Sequence, residues 1–344
     1  MEIREYLLNF LDLNAASGNE AVVFDKVSTL LAPLGRVYSD HAGSIYCTVR
    51  EDPGNKKHVV LDAHLDEVGF MVTAVTDDGF LKVTAVGGLD KRLIPGLEIT
   101  VHGKEELFGI FTSIPPHLLK DEDRKKVTEI EDLAIDVGLS REEAVKLVSP
   151  GDTVTVLRKP AFLLNDCVSS KALDDRAGCA VIARAAELLK GKDLDCNITL
   201  LFSVQEEVGG LGARTGSFRL CPTSCIAVDV GHGYTPDAPR ERCGDVGKGC
   251  QIGFAPILSR KITEDLLSLC IEKDIPFQYD IMGGKTGTNA DGIVLTGEGV
   301  PCGLVSIPLK YMHTPVEVVS MKDCENIAQL LAAYVEKEGS GKNE

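Results

Sequence analysis

Four near-continuous apolar runs lie along the chain, and each has the length of a buried strand. They are HVVLDA, NITLLFSV, SCIAVDV and CGLVSI, at residues 58–63, 197–204, 224–230 and 302–307. Apolar runs without polar alternation are typical of parallel sheets that are covered on both faces. Helical patterns such as CAVIARAAELLKG, at residues 179–191, lie between them. We therefore predict an α/β fold with a mainly parallel mixed sheet sandwiched by helices.

Two short motifs predict where helices begin. SGNE, at residues 17–20, has the S-x-x-E form of a capping box, and the amphipathic stretch AVVFDKVSTLLAPLG follows it. SREE, at residues 140–143, has the same form. In a capping box the Ser and Glu side chains satisfy free N–H groups of the first helical turn. We expect a helix to start at each motif.

The pattern changes between residues 70 and 164, where short alternating stretches such as GFLKVTAVGG are punctuated by Gly and Pro. This is typical of short strands and predicts a small β-rich domain, inserted into a catalytic domain formed by residues 1–69 and 165–344. We expect this insertion to have little core of its own. Within it, the densely charged HLLKDEDRKKVTEIEDL, at residues 117–133, predicts a solvated helical flap.

The charge and composition of the 344 residues exclude some classes of partner. The 52 acidic and 36 basic residues give a net charge of −16, which argues against nucleic acid or an anionic membrane. There is neither a membrane-length apolar run nor a leader-like start, so we expect a cytoplasmic protein. The eleven cysteines lack a C-x-x-C pair and are interpreted as buried small hydrophobic residues. A metal knot is the minor alternative, formed by Cys221, Cys225, Cys243 and Cys250.

Residues of metal-ligand type stand where the apolar runs end. They are His64 and Asp66 in AHLDEVG, Glu206 and Glu207 in QEEVGG, Asp229 in VDVGHG and His313 in KYMHTP, and KALDDRAG adds Asp174 and Asp175 at a helix entrance. Singly, a buried His is more often a hydrogen-bonded core residue, and an Asp before a helix is usually a cap. Together they indicate one crevice, because ligands bind outside the carboxyl ends of strands in open α/β sheets.

The chemistry of this set indicates metal ions. Imidazole and carboxylate together suit zinc, cobalt or manganese, and an acid-rich site with a bridging carboxylate suits two ions about 3.5–4 Å apart. Of the adjacent Glu206 and Glu207, one can be a ligand while the other accepts a proton from water. Residues i and i+2 of an extended chain point to the same side, so we predict that the Asp66 carboxylate holds the far nitrogen of His64.

The order H-x-D, D-D, E-E, D, H resembles that of the two-metal aminopeptidase and deacylase clan. Within the clan, the chain resembles the tetrahedral aminopeptidases, the glutamyl or deblocking aminopeptidase family that also carries the name endoglucanase M. The matching segments cover nearly the whole chain and include SGNE, AHLDEVGFMV, GGLDKRLIPG, PPHLLKDEDR, KALDDRAGC, QEEVGGLGAR and YMHTPVE. PPHLL, inside the insertion, discriminates best, because the whole clan shares the metal ligands.

The resemblance implies a role for each matching residue. One ion would be held by His64, Asp174 and Asp229, and the other by Asp174, Glu207 and His313. Glu206 would be the general base and acid, with Asp66 behind His64.

The resemblance also implies that the insertion mediates dimers and that six dimers form a tetrahedral dodecamer, which admits short peptides with free N-termini. Two departures from the family pattern are Asn289, where the family has an acid, and residues 230–239. We expect both to line the substrate pocket.

The leading hypothesis is thus a metal-dependent aminopeptidase. A glycoside hydrolase, which the endoglucanase name suggests, would need aromatic platforms for sugars, yet the chain has no Trp and only 5% aromatic residues. A catalytically silent oligomeric binding shell would require missing ligands, and the sequence retains them all.

Overall fold

The computed structural model describes residues 1–118 and 126–340. Its helices are α1 (Ile3–Leu11), α2 (Phe24–Leu31), α3 (Arg141–Leu147), α4 (Leu173–Leu188), α5 (Leu211–Leu220), α6 (Arg260–Glu272), α7 (Ala290–Ile293) and α8 (Met321–Gly339). Its strands are β1 (Arg36–Ser39), β2 (Ile45–Arg50), β3 (His58–His64), β4 (Gly69–Val75), β5 (Leu81–Val86), β6 (Glu98–His102), β7 (Glu106–Phe111), β8 (Ile135–Asp136), β9 (Thr153–Val156), β10 (Ala161–Leu163), β11 (Cys167–Ser170), β12 (Asn197–Ser203), β13 (Ser224–His232), β14 (Cys250–Phe254), β15 (Phe277–Ile281), β16 (Cys302–Leu309) and β17 (Glu317–Ser320). None of the helices described here combines the length and apolarity that a membrane crossing requires.

Eight strands form the central sheet in the order β1-β2-β12-β3-β13-β16-β14-β15. Its middle strands β12, β3, β13 and β16 are parallel, while β2 and β14 pair with them in the antiparallel direction. The four apolar runs of the sequence are these middle strands, and nearly all their residues are buried. The predicted mainly parallel mixed sheet is confirmed.

Helices cover both faces of the sheet. Successive strand residues point to opposite sides, so neighbouring residues of one strand pack against different helices. On β3, Leu61 joins the hydrophobic cluster formed with α1, α4 and α8. Its neighbour Val60 joins a separate cluster that contains Ala213 of α5 and Ile293 of α7. The predicted sandwich is therefore confirmed as well, and the carboxyl edge of the parallel strands stays open between the helical layers.

The two predicted capping boxes have different outcomes. At α3 the box forms. The Ser140 hydroxyl accepts the N–H of Glu143, and the Glu143 carboxylate accepts the N–H of Ser140. At SGNE it does not form: a short 3-10 turn precedes α2, and the Ser17 hydroxyl donates to Asp66 instead. That prediction was wrong because tertiary partners engage both side chains of the motif: the Ser17 hydroxyl is bound to the buried Asp66 carboxylate, and the Glu20 carboxylate accepts the N–H of Gln205.

Strands β4 to β9 form a closed barrel in the order β4-β5-β8-β7-β6-β9, set between β3 and α4 in the chain. A hydrophobic cluster of its own fills the barrel, including Phe70, Val83, Ile99 and Phe111. The expectation of little core was wrong, because closure turns alternate residues of every strand toward one interior. The domain boundaries at 69/70 and 164/165, and a role in dimerisation, stay predictions.

Much of the predicted charged flap lies outside the described residues, as does Leu119 of PPHLL, since the described part resumes at residue 126. On either side, Pro116–Leu118 and Ile130–Asp132 form short 3-10 turns. A separate small sheet, β10-β11-β17, leads the chain from the barrel toward the start of α4. That sheet helps to position the acidic pair at residues 174 and 175.

Candidate metal centre

Asp174 lies between the two predicted histidine ligands. Its Oδ1 is 3.0 Å from Nε2 of His64, and its Oδ2 is 3.2 Å from Nε2 of His313. His64 is the last residue of β3, Asp174 lies in the first turn of α4, and His313 follows β16. One carboxylate oxygen thus faces each imidazole, as a ligand that bridges two ions would require.

Glu207 adds a second carboxylate beside His313. Its Oε2 is 3.3 Å from Nε2 of His313. The ligand atoms that His64, Asp174 and Glu207 offer all lie within 4.8 Å of one another. The turn after β12 therefore brings one of the two adjacent glutamates into the cluster.

Asp229, in the C-terminal half of β13, contributes to a second group of ligand atoms. With His64 and Asp175 it forms a second group whose ligand atoms lie within 4.8 Å of one another. Asp175 was a candidate of metal-ligand type to which the resemblance assigned no role, and it is fully buried beside the predicted bridge. All five predicted metal residues thus meet at the carboxyl edge of the sheet.

Asp66 contacts His64 through two groups. Nδ1 of His64 is nearest the backbone oxygen of Asp66, at 3.2 Å, while the Asp66 carboxylate is 3.5 Å away. That carboxylate accepts hydrogen bonds from the Ser17 hydroxyl at 2.5 Å and from the N–H groups of Glu206 and Glu207 at 3.1 and 3.2 Å. Asp66 therefore faces the far nitrogen of His64 with both its backbone oxygen and its carboxylate, and its side chain also fixes the turn that carries the glutamates.

Burial and crowding disturb the ionisation of the whole cluster. Burial, with nearby carboxylates, raises the pKa of Glu206 to about 7. Burial and the charge of Asp174 raise the pKa of Asp229 well above its usual range. Burial lowers the pKa of His313, but hydrogen bonds and attraction from Asp174 and Glu207 outweigh it and raise that pKa to about 11. Negative charge is in excess here, so the site favours cations.

The donor atoms fit divalent metal ions. Oε1 of Glu207 and Oδ2 of Asp175 are buried and have no hydrogen-bond partner within the described part of the chain. Buried carboxylate oxygens without partners are costly unless a cation compensates them. Two imidazoles with several carboxylates form the mixed N/O donor set that zinc, cobalt and manganese accept.

The model of the M42 glutamyl aminopeptidase family matches residues 43–330. The chain belongs to the M42 family. It is 32% identical over 289 residues to the lysyl aminopeptidase of Pyrococcus furiosus, covering 83% of each chain. It is 26% identical over 345 residues to the glutamyl aminopeptidase of Lactococcus lactis subsp. cremoris, covering 97% of this chain and 96% of the other.

A solved peptidase structure shares the fold. The Pyrococcus horikoshii TET1 peptidase, which can assemble into a tetrahedron or a large octahedral shell, superposes with a TM-score of 0.85 and 29% sequence identity. The superposition covers 97% of this chain and 99% of the other. The predicted family and fold class are confirmed together.

Two positioning contacts of this M42 site were missed in the sequence. Glu317 of β17 is buried, and its carboxylate accepts the N–H of Asp174 at 3.1 Å and that of His313 at 2.8 Å. It thus fixes the backbone of two predicted ligands at once. The signal was present in YMHTPVE, where the Glu follows the predicted ligand by four residues.

The second missed feature is a buried ionic cluster beneath the ligands. The Glu67 carboxylate pairs with Nζ of Lys171 at 2.5 Å and with Nη2 of Arg176 at 3.3 Å. Arg176 also donates to the backbone oxygens of Leu65 and Phe10. These contacts tie the segment that carries Asp174 to the segment that carries His64 and Asp66.

A cavity of about 740 Å³ opens in front of the metal centre. Val230, Gly231 and His232 line it, so part of the departing segment 230–239 lies where we expected it. Asn289 does not fit that expectation: it is only 2% exposed, and its amide donates to Asp62 at 2.9 Å and to Ser203 at 2.8 Å. Asn289 therefore acts on the core beneath the sheet edge and not on the pocket wall.

Proposed function

We propose that this M42 chain is a metal-dependent aminopeptidase that hydrolyses the N-terminal residue of short peptides at a two-metal site. The position of Asp174, with one carboxylate oxygen toward His64 and the other toward His313, carries the proposal. Membership of a peptidase family supports peptide hydrolysis, and the names of the lysyl and glutamyl relatives support removal of N-terminal residues.

The ligand sets follow the resemblance, with one ion held by His64, Asp174 and Asp229 and the other by Asp174, Glu207 and His313. Zinc or cobalt suits these donors best, and manganese is the alternative. When bound, such ions polarise a carbonyl group and make water a stronger nucleophile near neutral pH.

Glu206 is the proposed general base and acid. Its pKa, raised by burial to about 7, suits a group that accepts a proton from the attacking water and returns it to the leaving amine. Its neighbour Glu207 points toward His313 and is the proposed ligand. Asp66 is the positioning residue, since its carboxylate holds the N–H groups of both glutamates.

The proposed partners are short peptides with free N-termini and further copies of the chain in a dodecamer built from dimers. The assembly of the TET1 peptidase into closed shells supports a homo-oligomer. On the barrel, Phe108 and Ile110 are exposed hydrophobic residues of β7 and supply an apolar face for a partner. The eleven free cysteines are consistent with a reducing, cytoplasmic location.

The alternative functions lack a supporting observation. A glycosidase needs two carboxylates free to flank a sugar, whereas Asp174 and Glu207 contact imidazoles here. A silent binding shell is disfavoured because the five predicted metal residues and Glu206 meet at one site.

Chelation followed by reconstitution tests the proposal. We expect a chelator to abolish hydrolysis of leucyl-p-nitroanilide, and zinc or cobalt to restore it at two ions per subunit by elemental analysis. Hydrolysis that survives complete metal removal would contradict the metal-dependent mechanism.

A further inference from the structure

The cavity in front of the metal centre has a wall that no predicted ligand explains. Beyond the metal residues, its charged or ionisable lining includes His232, Glu241, Arg242 and Asp280. His232 and Arg242 also line a neighbouring cavity of about 810 Å³, so they stand at the junction of the two spaces. Asp280 belongs to the wall of the first cavity, which also contains Asp174 and Glu207 of the metal centre.

The backbone of the edge strand presents Asp280 to this cavity. Asp280 lies on β15, and its register partner on the neighbouring strand β14 is Gly253. A glycine at that position has no side chain to stand beside the carboxylate, and Leu304, which also lines the cavity, packs against Gly253. Leu304 and Leu258 occupy the space that a side chain at Gly253 would need, so the opening at Asp280 is that of the cavity itself, whose wall includes Asp280 and Leu304.

No cationic partner within the described residues compensates Asp280. Burial raises the pKa of its carboxyl group, and attraction from His232 offsets that rise only in part. Glu241 and Arg242 are adjacent in sequence, exposed and of opposite charge. Outside the metal centre, Asp280 is thus a half-buried carboxyl group of this cavity that has no ion pair within the described residues, and a cationic group would stabilise its ionised form.

We propose that Asp280 selects substrates whose N-terminal residue is lysine or arginine, by pairing with the ammonium or guanidinium group of that side chain. The inference rests on the proposed aminopeptidase function and names its substrate class. A cavity of about 740 Å³ falls in the range of ~300–1,000 Å³ typical of ligand sites, so it accommodates a long side chain. An acidic side chain would meet a like charge there.

The test compares lysyl-, norleucyl- and glutamyl-p-nitroanilide, because norleucine retains the length of lysine but lacks the charge. We expect the wild-type protein to favour lysyl over norleucyl substrate in kcat/KM. In Asp280→Asn this preference should fall on the order of 10–100-fold, with norleucyl hydrolysis and metal content unchanged. Asp280→Glu should retain most of it. Asp237→Asn, which removes the same charge beside the neighbouring cavity, is the matched control and should change little.

Three outcomes would overturn the proposal: an equal loss on lysyl and norleucyl substrates, an unchanged preference in Asp280→Asn, or a wild-type preference for the glutamyl substrate. Measuring the binding of lysinamide and norleucinamide by calorimetry tests the charge selection without requiring hydrolysis. Failure of the charge selection can then be distinguished from failure of the proposed aminopeptidase function. If no anilide is hydrolysed, the aminopeptidase function fails, yet tighter binding of lysinamide that disappears in Asp280→Asn still supports the charge selection, and equal binding refutes it.

Discussion

The carboxylate of Asp66 accepts a hydrogen bond from the backbone N–H of Glu206, with a donor–acceptor distance of 3.1 Å. The two residues follow neighbouring parallel strands, β3 and β12. Asp66 also accepts the N–H of Glu207, so a single buried carboxylate fixes the turn that directs one glutamate toward His313 and leaves the other beside it. The backbone hydrogen bonds to Asp66 thus allow Glu206 and Glu207 to have different roles although they are adjacent in sequence.

This relationship predicts a graded effect of mutating Asp66. In Asp66→Asn an NH₂ group replaces one acceptor oxygen, so the three present donors cannot all be satisfied. We expect metal affinity or kcat to fall roughly 10–100-fold. Ser17→Ala, which removes one donor and leaves both backbone bonds, should have a smaller effect. Equal effects of the two substitutions, in kinetics and in metal content, would argue against the positioning role.

Glu206→Gln tests whether Glu206 is the general base and Glu207 the metal ligand. The amide is nearly isosteric but cannot accept a proton, so we expect turnover to be lost while both metal ions stay bound. Elemental analysis beside the kinetic assay decides this. Glu207→Gln is the matched control and should lose metal. If Glu206→Gln is the variant that loses metal, the assignment of the pair is reversed.

Asp174 should control occupancy of the whole site. Because its two oxygens face different imidazoles, Asp174→Ala is expected to deplete both ions, whereas His64→Ala and His313→Ala should each weaken mainly one. Metal stoichiometry under limiting metal distinguishes these outcomes. Full occupancy in Asp174→Ala would be incompatible with a bridging ligand.

Metal binding should release protons and strengthen as pH rises. The pKa of His313 in the metal-free protein is raised to about 11, so its imidazole is protonated at neutral pH and must lose that proton to become a ligand. Calorimetric titration in two buffers of different ionisation enthalpy measures the release. His313→Ala should lower it by about one proton, while His232→Ala, at the cavity junction, should not. Absence of proton release in the wild type would contradict this.

The sequence was informative about the site because the parallel strands share one direction. The apolar runs identify β3, β12, β13 and β16, and their carboxyl ends must then meet at one edge, so residues such as His64 and Asp229 could be grouped without coordinates. Only the structure assigns partners at that edge. His64 and Asp66 were expected to meet through the carboxylate, yet the backbone oxygen is nearer.

Contacts between distant segments escaped prediction. Ser17 fits a local capping box, but its hydroxyl bonds a carboxylate 49 residues away. No sequence pattern links Lys171 with Glu67, and their pairing inside the protein depends on the barrel returning the chain beside β3. Asn289 was expected in the pocket, but it satisfies the buried Asp62. Each error concerns a polar group whose partner is set by tertiary packing.

The last prediction concerns assembly. The barrel has a hydrophobic core of its own, so we expect dimerisation to bury exposed residues such as Phe108 and Ile110. We expect light scattering of the metal-loaded protein to show a homo-oligomer of about twelve copies, and Phe108→Glu to yield smaller species that remain folded. Val22→Glu, at an exposed hydrophobic residue outside the barrel, is the control. A fully active wild-type monomer would refute the assembly, and an intact oligomer in Phe108→Glu would place the interface elsewhere.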